Sequence, residues 1–107
     1  MSEIDVRSGT IVRTWTGWVR REDAEEYGRY IEETGMAEYR STRGNLGAYM
    51  VLTDEGERTR VTTVSFWTDL DVIRGFAGDD ISKAVYYPED ERWLVAHEDT
   101  VTHGRVV

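Results

Sequence analysis

The sequence predicts an α+β domain in which a four-stranded antiparallel sheet is covered on one face by two helices. Residues 10–19 and 57–68 are rich in Thr, Val, Ile and Trp, which is typical of β-strands. Residues 23–34 carry apolar side chains at helical spacing. Residues 53–56 read Thr-Asp-Glu-Gly and predict a hairpin turn. Strands and a helix therefore follow one another along a single short chain.

The length of the chain limits it to one domain, because 107 residues bury one sizeable core but are too few for two. With 39% hydrophobic and 32% charged residues, the composition is that of a folded globular protein. Residues 1–9 lack a periodic pattern, so we expect an N-terminal arm there and a single domain over residues 10–107.

The first strand, Thr10–Val19, is expected to lie in the middle of the sheet, since both of its faces carry apolar side chains. The helix that follows is predicted to span Asp23–Thr34. Its first residue is followed three positions later by glutamate, which is the spacing of a capping box. Gly35 stands where helices commonly end in a left-handed residue, so residues 36–45 are predicted to be a connection.

A hairpin and a second, shorter helix are predicted next. The hairpin strands are Gly47–Leu52 and Glu57–Thr68. Thr68 is followed three residues later by aspartate, which predicts another capping pair, and two glycines keep the helix short. Asp79 or Asp80 is expected to cap a further helical piece that runs to Val85.

The last part of the chain returns to strand character. Pro88–Arg92 is predicted to be a polar loop and Trp93–His97 a strand. Glu98 and Asp99 interrupt the pattern as a bulge would, and Thr100–Val107 ends the chain in extended form.

The order strand, helix, strand, strand, helix, strand is the ferredoxin-like βαββαβ arrangement. Helices on one face of such a sheet leave its other face open. Because large apolar residues occur on both strand faces, we expect the open face to be buried against a second copy of the chain in a homodimer.

Charge and composition exclude several functions. A formal net charge of −8 disfavours nucleic acid as a partner, because phosphate binding needs clustered Lys and Arg. No apolar run approaches the roughly 20 residues that a membrane helix needs. The sequence has no cysteine, and its start does not look like a secretory signal, so a cytoplasmic location is expected.

A family resemblance begins at the end of the third strand. Residues 67–94 read WTDLDVIRGFAGDDISKAVYYPEDERWL, and Trp15, the GNLG of residues 44–47 and His103 add to the pattern. The chain thereby resembles the antibiotic biosynthesis monooxygenase superfamily, most specifically from FAGDD to YYPED. The resemblance implies a dimeric α+β barrel with a cavity between sheet and helices. It also implies either cofactor-free oxygenation of an aromatic compound or oxidative cleavage of haem.

The haem-cleaving branch of that superfamily is the poorer match. It uses an asparagine on the first strand, a tryptophan that ends the third strand and a histidine on the next helix. Trp67 matches the tryptophan, but Thr10–Val19 holds no asparagine and Asp69–Tyr87 holds no histidine. Haem iron needs an axial ligand such as His, and both histidines lie on the last strand. We therefore expect no cofactor.

Cofactor-free oxygenation requires a base or hydrogen-bond donors within aromatic walls. The side chains that combine these properties are the candidate site residues. The catalytic candidates are Arg13, Trp67, His97 and His103. The candidates for the substrate pocket are Trp15, Tyr49, Trp67, Phe76 and Tyr86.

Each candidate also has a structural interpretation. The tryptophans can be core residues, and Arg13 can form a buried salt bridge. His97 and His103 can be hydrogen-bonded residues at the dimer interface, and with their neighbouring carboxylates they lack the convergence of a metal site. A non-catalytic, ligand-binding or purely structural dimer therefore remains the alternative to an oxygenase.

Overall fold

An antiparallel sheet of five strands organises residues 6–107, which are the residues that this computed structural model describes. The strands run in the order β2-β3-β1-β4, and β5 also pairs with β1. They are β1 (Ile11–Arg20), β2 (Asn45–Glu55), β3 (Arg58–Trp67), β4 (Leu94–His97) and β5 (Thr102–Arg105). The predicted α+β class and central position of the first strand are confirmed.

The predicted last strand is split in two. β4 pairs with one end of β1, where His97 lies opposite Gly17, and β5 pairs with the other end, where His103 lies opposite Arg13. Residues 98–101 leave the sheet between them. The predicted interruption at Glu98 and Asp99 is thus present, and β4 and β5 together occupy the fourth position of a ferredoxin-like sheet.

One long helical stretch covers the sheet. It comprises a 3-10 turn at Arg21–Asp23, α1 (Ala24–Ile31), a π-helical segment (Glu32–Met36) and α2 (Ala37–Ser41). The predicted end at Thr34 is therefore wrong. Gly35 is buried within the π-helical segment and does not have a left-handed backbone, so it does not end the helix.

Both predicted capping pairs are also corrected. Asp23 precedes α1 but makes no side-chain capping hydrogen bond. At the second helix, Asp69 accepts a hydrogen bond from the Val72 amide, in the place where Thr68 was expected to act. Spacing alone does not decide which of two adjacent polar residues turns its side chain toward the helix.

The second helical region is shorter than predicted. It consists of a 3-10 turn (Asp71–Ile73) and α3 (Arg74–Ala77), after which residues 78–88 form an extended segment that we call the strap. The predicted helical piece through Val85 is wrong because backbone pairing with residues 99–101 replaces it. The amide of Ala84 donates to the Asp99 carbonyl. After the strap, α4 (Asp90–Trp93) occupies part of the predicted loop and the start of the predicted strand.

The core lies between the sheet and the long helical stretch. Its fully buried side chains come from three strands and both helical regions. They include Val19, Tyr27, Met36, Ala48, Val61, Trp67 and Ile73. Among residues 6–107, no helix is long and apolar enough to cross a bilayer.

The other face of the sheet carries apolar residues that no helix within residues 6–107 covers. Tyr49 and Val51 on β2 are 45% and 48% exposed. Val12, Val64 and Phe66 alternate with the core-facing residues of β1 and β3 and are half-buried. We call this set of side chains the open face.

Candidate functional site

The sequence-predicted site residues separate into three places. Arg13, Trp67, Phe76 and His103 lie between the sheet and the helices. Tyr86 and His97 lie at a groove on the outside of the strap, and Trp15 packs behind Tyr86. Tyr49 pairs with Val64 and belongs to the open face, so it does not line the same pocket as Trp67. The residues therefore do not form the single pocket that was predicted.

The groove is the larger of the two spaces beside these residues, with a volume of about 630 Å³. This volume lies within the range of small-molecule sites, roughly 300–1,000 Å³. The strap, α4 and β4 supply its walls. The lining residues are Tyr86, Tyr87, Pro88, Asp90, Glu91, Leu94 and His97.

The imidazole of His97 is oriented through one of its nitrogens. Its Nδ1 lies 2.8 Å from the Tyr86 hydroxyl oxygen and 3.3 Å from a carboxylate oxygen of Asp99. The Tyr86 hydroxyl also lies 2.9 Å from the Glu98 carbonyl oxygen, to which it donates. Since the carbonyl and the carboxylate only accept, we assign the proton of neutral His97 to Nδ1.

This tautomer leaves Nε2 of His97 with a lone pair. Nε2 makes no hydrogen bond within the part of the chain that the structure describes. Burial, followed by the charge of Asp99, raises the pKa of the Tyr86 phenol, so Tyr86 keeps the proton that it donates. A base that is oriented by a neighbouring group and lines a groove is the arrangement that general base catalysis needs.

Asp90 is a site residue that the sequence reasoning missed. It is 4% exposed, accepts a hydrogen bond from the Tyr87 amide at 2.7 Å, and lies 3.3 Å from the Tyr27 hydroxyl. Burial raises the pKa of this carboxyl group. The spacing of Asp90 from Tyr87 is that of a capping residue, which was the available signal.

A smaller cavity lies on the inner side of Tyr87 and Asp90, which line both spaces. Its volume is about 40 Å³. A cavity that takes benzene has on the order of 150 Å³. The space between sheet and helix is therefore too small for an aromatic substrate, although it was the predicted location of one.

Arg13 is 1% exposed and fastens the strap to the sheet. Its guanidinium donates to the carbonyl oxygens of Ile81 at 2.5 Å and Lys83 at 3.2 Å. The predicted salt bridge is absent among residues 6–107, because the strap carbonyls occupy the position of a carboxylate. The guanidinium carbon also lies 5.9 Å from the centre of the Phe76 ring, within cation–π range.

His103 also supports the attachment of the strap to the sheet, through its contact with Arg13. Its Nε2 lies 3.0 Å from a terminal nitrogen of Arg13 and accepts a hydrogen bond from it. Burial, followed by the nearby charge of Arg13, lowers the pKa of His103, so the folded protein holds it neutral. His103 is therefore not free to take a substrate proton while Arg13 occupies this position.

The buried aromatic candidates are engaged in packing. Trp67 is fully buried and donates from Nε1 to the Ser65 hydroxyl at 2.8 Å. Phe76 stacks on Tyr39 with ring centres 4.0 Å apart. Trp15 donates to the Glu98 carbonyl at 2.7 Å and meets the Tyr86 ring edge-on. Of these three, Trp15 bears most directly on the groove, because it supports Tyr86.

Comparisons with known proteins identify the fold. No family model matches the sequence, and no curated protein matches it. The structure is similar to an uncharacterised NIPSNAP-like domain protein from Burkholderia xenovorans, with a TM-score of 0.57 and 22% identity over 89% of this chain and 84% of that one. It is also similar to a dimeric ferredoxin-like protein from an uncultured marine organism, with a TM-score of 0.59 and 19% identity over 94% and 97% of the two chains.

These neighbours confirm a ferredoxin-like α+β fold. At such identities the likeness extends to the fold alone, and neither neighbour's description includes a reaction. Within the described range, no group of three or more His, Cys, Asp or Glu residues could hold a metal ion.

Replacing Arg13 by methionine should destabilise the protein strongly. The substitution removes the hydrogen-bond donors of the part-buried Ile81 and Lys83 carbonyls, and a group left unsatisfied in this way costs about 1–3 kcal/mol. The control is Arg74→Met, which removes an exposed ion pair with Asp71 and should cost less than about 1 kcal/mol. Urea unfolding measures both losses, and equal small losses would contradict the role of Arg13.

The lowered pKa of His103 predicts that the protein loses stability in mild acid. The unfolded chain takes up a proton near the ordinary value of 6.5, whereas folded His103 resists it until a lower pH. Its contribution is therefore complete above pH 6.5 and decreases as the pH falls toward the folded pKa. His103→Gln should reduce this loss.

The measurement is urea unfolding of wild type and His103→Gln at about pH 7.5 and about pH 5. The raised pKa of Asp90 acts in the opposite direction, but it is common to both proteins and cancels in the comparison. An identical dependence on pH in the two proteins would show that His103 does not hold its neutral form in the fold.

Proposed function

We propose that the protein binds a small aromatic compound with an acidic hydroxyl in the groove and that His97 accepts the hydroxyl proton. The observation that carries the proposal is the geometry of His97, whose Nδ1 is held by Tyr86 and Asp99 while its Nε2 has no hydrogen-bond partner among residues 6–107. Tyr86, Tyr87, Pro88 and Leu94 provide flat and apolar walls for a ring.

The reaction we propose is oxygenation without a cofactor, which the resemblance to the antibiotic biosynthesis monooxygenase superfamily implies. Removal of the hydroxyl proton gives an electron-rich phenolate that can transfer electrons to dioxygen. One oxygen atom then enters the ring in place of two hydrogens, and the other leaves as water. The protein's own part is to bind the ring, accept the proton and exclude bulk water.

A non-catalytic binding module is the second candidate, and one observation favours it. The interior residues that were predicted to react are engaged in packing or in holding the strap, including Trp67, Arg13 and His103. Haem ligation by His103 receives less support, because its Nε2 already accepts from Arg13. The groove serves a bound ligand equally well with or without a reaction.

We further propose that the protein is a homodimer that buries the open face. Exposed apolar residues such as Tyr49 and Val51 lie together there, and a patch of this kind on a sheet is typical of an interface. One structural neighbour is described as dimeric and shares the fold. The groove lies on the helix side of the sheet, so this interface would leave it open.

His97→Gln should abolish oxygenation while the fold is kept. Oxygen uptake against a panel of polyphenols and quinols measures the wild-type activity, and loss of the base should lower the rate by at least about 100-fold. Arg74→Gln, which removes an exposed ion pair with Asp71 away from the open face, is the control and should keep the wild-type rate.

Two results separate the candidates. Compounds that bind by calorimetry without oxygen uptake above buffer would establish the binding module and reject the oxygenase. A panel with neither binding nor uptake would contradict the groove as a site for aromatic compounds.

Sedimentation at micromolar concentration should show twice the chain mass of 12.4 kDa. Val51→Lys should convert the dimer to a monomer, because it places a charge within the buried face. Leu70→Lys is the matched control, since Leu70 is 46% exposed but lies outside the open face. A wild-type monomer, or a dimer that Val51→Lys leaves intact, would contradict this interface.

A further inference from the structure

We infer that the inner cavity is a binding site for a small apolar gas molecule, and that under the proposed function this molecule is dioxygen. The identity of the gas rests on the proposed function. The site itself rests on the size, lining and position of the cavity.

The volume of the cavity limits which molecules can bind in it. A cavity needs on the order of 10–15 Å³ to hold one water molecule, and this cavity has about 40 Å³. A diatomic gas or a xenon atom fits within this space. An aromatic ring does not, because benzene needs on the order of 150 Å³.

The lining favours an apolar guest over water. Most of the walls are aliphatic or aromatic carbon, and the apolar side chains are Ile31, Met36, Phe76, Ala84, Val85 and Val101. A buried water needs two to four hydrogen-bond partners, and cavities with apolar walls stay dry and take xenon.

The polar groups at the cavity are mostly engaged with one another. Asp90 receives hydrogen bonds from the Tyr27 hydroxyl and the Tyr87 amide. The Tyr87 hydroxyl donates to the Glu38 carboxylate. Among the described lining residues, the hydroxyls of Thr63 and Tyr39 remain without an assigned hydrogen bond. These two hydroxyls are the groups at which a water would compete with an apolar guest.

The position of the cavity suits a co-substrate. Tyr87 and Asp90 line both the cavity and the groove, so one layer of side chains separates the two spaces. That layer is held on both sides, by Glu38 at the Tyr87 hydroxyl and by Tyr27 at the Asp90 carboxylate. A gas molecule in the cavity would therefore lie next to the aromatic ring of a ligand in the groove. The cavity is too small for that ring to enter.

Xenon is the probe for this site. Crystals of the full chain under xenon pressure should show an anomalous peak inside the cavity, and methyl resonances of Ile31 and Met36 should shift when xenon is added in solution. Neither measurement needs turnover, so both remain informative if the proposed oxygenation is wrong.

Ala84→Leu tests the site by filling it, because Ala84 lines the cavity and is half-buried. Ala37→Leu makes the same change at an exposed position on α2 and is the control. We expect the xenon peak in wild type and Ala37→Leu but not in Ala84→Leu. Val101→Leu is the smaller filling variant if Ala84→Leu does not fold.

With an active substrate, Ala84→Leu should raise the KM for dioxygen at least about tenfold and change kcat at saturating oxygen little. An ordered water bonded to the Thr63 and Tyr39 hydroxyls, with no xenon in the cavity, would overturn the gas site. An unchanged KM for dioxygen in a variant that has lost the xenon peak would overturn the assignment to dioxygen.

Discussion

The attachment of the strap to the sheet by Arg13 is the interaction on which the site depends. A guanidinium that is 1% exposed is costly unless acceptors surround it, and the strap supplies two carbonyl oxygens. The strap and the charge therefore stabilise each other, because departure of the strap would leave a buried cation without partners. This attachment sets the position of Tyr86 and Tyr87, and with them the walls of both the groove and the cavity.

A division between interior and surface follows from that attachment. The residues beneath the strap hold it in place, and the residues on its outer side are left to contact ligands. His97 belongs to the outer set because β4 ends there and the chain leaves the sheet at residues 98–101. The same departure brings the Glu98 carbonyl and the Asp99 carboxylate to Tyr86 and His97. The irregularity in the last strand therefore brings together the groups that orient the His97 imidazole.

The sequence predicted the sheet better than the segments that connect it. Strand β1 is rich in Thr, Val, Ile and Trp, and this composition is visible without tertiary information. Gly35 misled the prediction of the helix end, since a glycine can also lie within a helical stretch without a left-handed backbone. The strap was predicted to be helical because its capping residue and apolar spacing are local signals, whereas its pairing with residues 99–101 is not.

The sequence predicted only part of the candidate site, again because contacts between distant parts of the chain decide the rest. Residue type indicated that Arg13 and His97 need partners, but the partners are backbone carbonyls and a phenol that only the fold brings near. Asp90 was overlooked because its burial depends on Tyr27, which lies 63 residues away in the chain. Tyr49 was placed in the pocket by its aromatic type, while the register of β2 assigns it to the other face.

The central claim is that His97 presents an unprotonated Nε2 to the groove. Nitrogen-15 NMR of the histidine rings at neutral pH tests it directly, since the two ring nitrogens have distinct shifts in each tautomer. The account predicts that neutral His97 carries its proton on Nδ1, and that Ala or Phe in place of Tyr86 weakens this preference. A proton on Nε2 in the wild-type protein would contradict it, because the groove would then face a donor in place of a base.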